Sequence, residues 1–375
     1  MTRLRVGFDV SSAVKDHGRG IAAYVRALLA ALPQAAPEID AVLYIRGRRW
    51  WRRRSVADLL EQQPRRWLLE PVLRPGRDLD AFHGLGVRLP ALARVPRSFT
   101  LHDLRGLDAV EHTDPRWARI RSARLRETVH RADAIVCLNE FGRRRLRHHF
   151  PAFPGERTAV IPHGLDHARF RPLPAQQVAP VLARHALHRP YVLQLGRLDR
   201  HKNPETSLRA FATSAARSSG LLLVFAGGAE PGYQSALEAL ARQLGVHAHV
   251  RWLGAVPRDD VPALYATAAA VLVPSYYEGF GLPVLEAMAC GAAGLVSSGT
   301  CLEELAGDVW PAADPAQPES FRRALDRLLL DSGRLDRARA GSLARAAAFT
   351  WERCARSTAD FLAFSARLPA GTRAG

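Results

Sequence analysis

The chain is short of cysteine, of acidic residues to balance its basic ones, and of long apolar runs, and each shortage excludes something. Four cysteines in 375 residues (Cys137, Cys290, Cys301 and Cys354) have neither the spacing of a zinc or redox motif nor the density of a disulfide framework. They read as the reduced thiols of a cytosolic protein. No apolar stretch approaches the ~18 residues of a membrane span, and the opening Met1-Thr2-Arg3-Leu4-Arg5-Val6 reads as a first strand, not a signal peptide. The histidines, His148-His149 included, have no metal-ligand spacing, so no metal is expected. Asp and Glu number 36 against 53 Lys and Arg, a net charge of +17. Most of the imbalance falls in the first 171 residues, 18 acidic against 32 basic. Such a face suits an anionic partner, whether lipid headgroup, nucleic acid or acidic acceptor; an arginine-rich, merely solvated surface is the plainer alternative.

What is present is the alternation of a parallel α/β protein. Apolar residues make up 47% of the chain, enough for two cores of ordinary size. Strand-like runs occur at Leu4–Val10, Ala41–Ile45, Ala81–His83, Ser98–His102, Ala134–Leu138 and Thr158–Ile161, then at Tyr191–Leu195, Leu221–Ala226, Val250–Leu253, Ala270–Pro274 and Gly294–Ser297. Pro172 and Pro174 mark a linker, which gives domains at 1–172 and 173–349. Thr350 is placed to cap a last helix over 350–375.

The most informative stretch runs from Pro274 to Gly291, P-S-Y-Y-E-G-F-G-L-P-V-L-E-A-M-A-C-G. A strand ends, a glycine-rich loop follows, and a short helix starts with Pro283 suited to its first position and Gly291 to its left-handed cap. Backbone N–H groups and the positive end of the helix welcome an anion. Glu278 and Glu286 flank that site, and carboxylates accept hydrogen bonds from hydroxyls. Phosphate beside polyol describes a nucleotide sugar.

Glu278-x7-Glu286 in this setting resembles the signature of the retaining glycosyltransferases of family 4. That resemblance implies the GT-B fold, two Rossmann-like parallel-sheet domains facing a central cleft, with the last helix packing back on the first, acceptor-side domain and the second domain binding the donor. It extends over nearly the whole chain. Leu195-Gly196-Arg197-Leu198-Asp199-Arg200-His201-Lys202-Asn203 resembles the family's G-R-x5-K-N element, so Gly196, Arg197 and Lys202 are expected on the donor diphosphate. Fixed cations there stabilise the departing phosphate without a metal ion. Asp16-His17-Gly18-Arg19-Gly20-Ile21-Ala22-Ala23-Tyr24 resembles the first glycine loop, with Gly18 and Gly20 closing over the diphosphate; a plain tight connection is the alternative. Thr100-Leu101-His102-Asp103 resembles T-x-H-D, which puts His102 at the donor sugar as a hydrogen-bond donor and charge buffer, with Asp103 orienting its ring or capping the next segment.

By the same resemblance, Glu278 holds the sugar, Glu286 the ribose, and Gly279, Phe280, Gly281 and Leu282 act through their backbone. Departures from the pattern are Asn139 for Ser or Thr, His163 for Asn, Ala293 for Pro and Glu303 for Pro. Asp78-Leu79-Asp80 matches the D-x-D of metal-dependent transferases of another fold, but enters a strand and reads as solvated charge. Arg46–Arg54, with six arginines and two tryptophans, suggests peripheral contact with an anionic membrane on its cytosolic face; a solvated loop is the alternative. The expected activity is transfer of a hexose from a nucleotide diphosphate sugar, with a lean to GDP-mannose over a UDP-sugar, to a glycan or lipid-linked acceptor. A nucleic-acid-binding module is the remote alternative, and no reader motif supports it.

Overall fold

A computed structural model describes residues 3–13, 20–46, 67–69, 79–90, 95–230 and 232–371. Contacts divide the chain into two compact units. One comprises Met1–Leu107, Pro115–Gly164 and Phe349–Gly375; the other, Asp108–Asp114 and Leu165–Ala348.

The first unit is built on a seven-stranded parallel sheet in the order β3-β2-β1-β4-β5-β6-β7. Its strands are β1 (Leu4–Asp9), β2 (Ile39–Ile45), β3 (Trp67–Leu69), β4 (Ala81–Gly84), β5 (Arg97–Leu101), β6 (Ala134–Cys137) and β7 (Thr158–Val160). Central strands such as Ala134-Ile135-Val136-Cys137 are buried on both faces, and that is why they read as unbroken apolar runs. The helix Ile21–Ala35 buries Tyr24, Val25, Leu28, Leu29 and Leu32, a stripe at helical spacing, against the sheet. The helix Trp351–Ser365 adds Cys354, Ala355, Ala359 and Leu362 to the same core. Thr350 caps it, Oγ1 accepting from Arg353 N at 3.2 Å. Arg356 fastens the helix by an ion pair to Glu38 and by donating to Ala35 O. Where the chain enters this helix it passes so close to Gly164 that a Cβ there would lie 2.3 Å from Trp351 N.

The second unit carries a six-stranded parallel sheet, β10-β9-β8-β11-β12-β13. Its strands are β8 (Tyr191–Leu195), β9 (Leu222–Ala226), β10 (Val250–Gly254), β11 (Ala270–Val273), β12 (Gly294–Ser297) and β13 (Ala312–Ala313). Both sheets reverse their winding once, between β1 and β4 and between β8 and β11. In doubly wound sheets the connections leave to opposite sides there, and a crevice opens beyond the carboxyl ends of the two strands. The apolar runs of the sequence stand as β1, β2 and β4–β12. β3 and β13 are additions, three and two residues long, too short for any apolar period to announce them.

Candidate active site

The donor-type motifs meet at the reversal in the second sheet. β11 ends at Val273, the loop Pro274–Gly281 follows, and the helix Leu282–Ala289 begins one residue earlier than Pro283 suggested, with Pro283 second. Tyr277 and Phe280 are buried and anchor the loop. Gly281 adopts φ +102, and a Cβ on it would press within 2.5 Å of Leu302 Cδ2, so the turn into the helix requires glycine. Gly291, at φ +76, ends the helix as expected.

The neighbouring β8 loop is braced against this one. Gly196 (φ +133) approaches Gly227 so closely that a Cβ on Gly227 would meet Gly196 O. Asn203, in a left-handed conformation, donates from Nδ2 to Pro274 O at 3.1 Å and to Pro315 O at 2.7 Å, while its Oδ1 accepts from Thr206 N. Gln194 Nε2 donates to Lys202 O at 2.9 Å, and Tyr276 N to His201 O at 2.9 Å. Through this bracing Lys202 and Glu278, 76 residues apart, form an ion pair, and Ser275 Oγ donates to the same carboxylate at 2.9 Å. Cys301 donates to Glu278 O at 3.1 Å. A small cleft here is lined by Gly196, Arg197, Lys202, Ser275, Glu278 and Pro283. Arg197 donates to Glu230 Oε1 at 2.9 Å. The motif reading missed Glu230, and the Gly227-Gly228 turn after β9 was the only sequence signal near it.

Glu286 lies one turn into the helix. Burial raises its carboxyl to about 7, against the opposing pull of Arg258, Arg169 and the nearby Tyr265 phenol. A group poised there is a weaker charge and a better hydroxyl partner than an ordinary surface glutamate.

In the first unit, Gly20 opens the helix Ile21–Ala35 at φ +56, the geometry of a tight connection. Gly18 lies outside the described residues, as do Asp78 and positions 47–54 of the basic patch. Arg46, at the edge of that patch, pairs with the buried Asp9 at 3.0 Å. Asp80 accepts from Arg5 N at 2.8 Å, as ordinary surface charge does.

His102 is buried at the end of β5. Its Nε2 donates to Leu85 O at 3.0 Å, and burial lowers its pKa to about 4. The ring is therefore neutral near pH 7, with its Nε2–H on the carbonyl and its Nδ1 an acceptor. Asp103 does not orient that ring: it accepts from Arg105 N at 3.2 Å, capping the short helix Arg105–Asp108, and pairs with Arg121 at 3.4 Å. His163 is buried and stacks on Tyr24, centroids 4.6 Å apart, and Tyr24 meets His102 edge-on. Asn139 caps the helix Glu140–His149 through Gly142 N at 2.7 Å, doing what a Ser or Thr would do. Glu303 accepts from Gly299 N at 2.7 Å, and Ala293 is buried in the core. Among the described residues no three His, Cys, Asp or Glu side chains cluster as metal ligands, and no helix is long and apolar enough to cross a membrane.

Comparison with known proteins gives the same arrangement. Residues 18–169 match the model described as Glycosyltransferase Family 4, and residues 183–346 the model Glycosyl transferases group 1. The chain is 29% identical to an O-antigen chain mannosyltransferase B of Escherichia coli over 74% of its own length and 72% of the relative's. It is 34% identical to a D-inositol 3-phosphate glycosyltransferase of Salinispora tropica over 62% of its length, spanning about half (51%) of that protein. Its backbone superposes on sucrose-phosphate synthase from Thermosynechococcus elongatus with a TM-score of 0.73, covering 96% of this chain and 98% of the other at 21% identity, a likeness of fold. With both domain models matched in order, two Rossmann-like parallel sheets, and the phosphate-type loops at the reversal of the second, the chain belongs to the family 4 glycosyltransferases of GT-B fold.

Proposed function

We propose that this glycosyltransferase moves a hexose, with retention and without a metal ion, from a nucleotide diphosphate sugar to a glycan or lipid-linked acceptor, and that the donor is GDP-mannose. The observation that carries this reading is the Lys202–Glu278 pair at the carboxyl ends of β8 and β11, with Arg197 on the same cleft. Before the donor arrives the two charges satisfy each other. The donor inserts between them: a phosphate oxygen takes the ammonium and a sugar hydroxyl takes the carboxylate. As the bond from the anomeric carbon to the phosphate oxygen breaks, its electron pair moves onto the diphosphate, where Lys202 and Arg197 stabilise it. The acceptor oxygen bonds to the same face of that carbon and passes its proton to the departing phosphate, so charge and atoms balance. The backbone of Gly279–Leu282 positions phosphate and sugar, and Glu286 accepts from the ribose. The mannosyl assignment is supported by the O-antigen mannosyltransferase relative. The reaction would run at the cytosolic face of a membrane, where the basic patch meets anionic lipid.

Thermal-shift binding of GDP, UDP, ADP and dTDP tests the donor, with Arg197→Ala as control. At ~100 times its dissociation constant a nucleotide adds ~2.7 kcal/mol of stability. Stabilisation by GDP alone is expected; by UDP alone, it transfers the assignment to a UDP-sugar; no shift with any nucleotide refutes the reading.

A further inference from the structure

The first unit holds an open cleft of about 300 Å³, lined by the ends of β1 and β2 and by the helix Pro115–Arg131. Its charged residues are Asp9, Arg46, Arg88, Arg124, Glu127 and Arg131. Arg124, Glu127 and Arg131 stand three and four residues apart, so one helix face presents all of them.

Two of the four arginines are neutralised where they stand. Arg46 pairs with Asp9 at 3.0 Å, and Arg131 with Glu127 at 2.8 Å. The guanidinium groups of Arg88 and Arg124 have no ion-pair or hydrogen-bond partner among the described residues. Partial desolvation, then repulsion from Arg124 and Arg46, holds Arg88 below the usual arginine range, against the pull of Glu127 and Asp9. Four arginines against two carboxylates leave the cleft with an excess of positive charge that an anion would answer. A carboxylate would answer only one of Arg88 and Arg124. A phosphate monoester carries nearly two negative charges on three acceptor oxygens, and two planar guanidinium forks match that geometry.

We infer that this cleft binds the phosphate group of a phosphorylated acceptor, held by Arg88 and Arg124. That the ligand is the acceptor rests on the glycosyltransferase reading above; that it is a phosphate ester rests on the charges alone. Phosphate on a soluble sugar and phosphate on a lipid share this chemistry.

The test is calorimetric titration of the full chain with methyl phosphate. Arg197→Ala and Lys202→Ala are installed first so that the donor loops cannot take the anion. Saturable binding is expected, weakened at least about tenfold by adding Arg88→Gln and Arg124→Gln, and less by the corresponding lysine changes, which keep charge and lose the fork. Both side chains are exposed, so the glutamine protein should keep its circular dichroism and melting temperature. Phosphatidylcholine vesicles with and without phosphatidic acid separate the sources. Flotation that needs phosphatidic acid and is competed by methyl phosphate assigns a lipid phosphate; methyl phosphate binding with no flotation assigns a soluble one. No binding, or binding indifferent to Arg88→Gln and Arg124→Gln, overturns the inference. If phosphate binds here while the unmutated chain binds no nucleoside diphosphate, the donor reading fails and this site stands.

Discussion

The two units place their motif residues at the same address, the carboxyl ends of parallel strands, yet build opposite electrostatic settings there. In the second unit, Lys202 and Glu278 form an ion pair that lines a cleft. In the first, His83, His102 and His163 are buried and neutral. His83 shares hydrogen bonds with Ser98 and Thr100 at 2.8 and 2.9 Å, and burial lowers it to about 3. The difference lies in what the adjoining loops do. Glycine turns in the second unit leave its charged pair on a cleft, whereas in the first Tyr24 packs on His102 and His163, and Phe8 and Phe361 on His83. Topology supplies the place and the loops supply the chemistry.

The strongest way to break this comparison is to remove one of its charges. Lys202→Ala or Arg197→Ala should lower turnover by ~10²–10³, the cost of losing one electrostatic stabiliser. His102→Gln should do far less, since that ring is uncharged near pH 7 and its N–H is taken by Leu85 O. Steady-state rates for the three variants decide it, and equal losses would erase the distinction.

Next in size is Gly164→Ala. Its Cβ would meet the backbone of Trp351, which cannot yield as a side chain would. A loss of roughly 3 kcal/mol is expected, at the upper end for overpacking, and should be read in chemical denaturation. Hydrogen exchange should show the helix Trp351–Ser365 released first; a neutral result would mean that helix is held loosely.

The smallest effect is the most diagnostic, because the two units should respond to acid with opposite signs. Glu286 is raised from its ordinary 4.5 to about 7. Between those values the folded protein holds more protons than the unfolded chain, so this carboxyl adds stability as pH falls from 7 to 4.5. The first unit's histidines are lowered from 6.5, His102 to about 4 and His83 to about 3, mainly by burial. Their contribution is complete above 6.5 and is lost as pH falls toward those lower values. Residue-resolved hydrogen exchange at pH 7 and pH 5 should show β4–β6 losing protection relative to the helix Leu282–Ala289. Glu286→Gln should remove the second unit's share of the difference and raise its stability at pH 8. Parallel responses in both units would contradict the assignment.

Legibility followed the same division. The strands that became β1, β2 and β4–β12 were readable because parallel strands buried on both faces must be continuously apolar. The loop Pro274–Gly281 was readable because its glycines and Pro283 are demanded by backbone geometry, not by distant neighbours. The partner of Arg197, Glu230, was not, since nothing local records a contact made across the ends of two strands. The bonding of His102 was not legible for the same reason: the pattern T-x-H-D gives its position, while the carbonyl of Leu85, 17 residues away, decides which nitrogen is engaged. The basic excess was visible as a number, but that Asp9 and Glu127 pair with two of the cleft's four arginines, and not with Arg88 or Arg124, could not be counted along the chain.

The sequence by itself determined the two parallel sheets, the order of their elements and the residues that make the glycine loops, because hydrophobic period and backbone strain act over a few residues. Only the tertiary structure decided which charges meet, which are buried and which stay unanswered. Lys202 with Glu278 and Arg197 with Glu230 are relations between the loops at strand ends, and Arg88 with Arg124 one between a loop and a helix; electrostatic energy depends on distance and on the surrounding medium, not on separation along the chain.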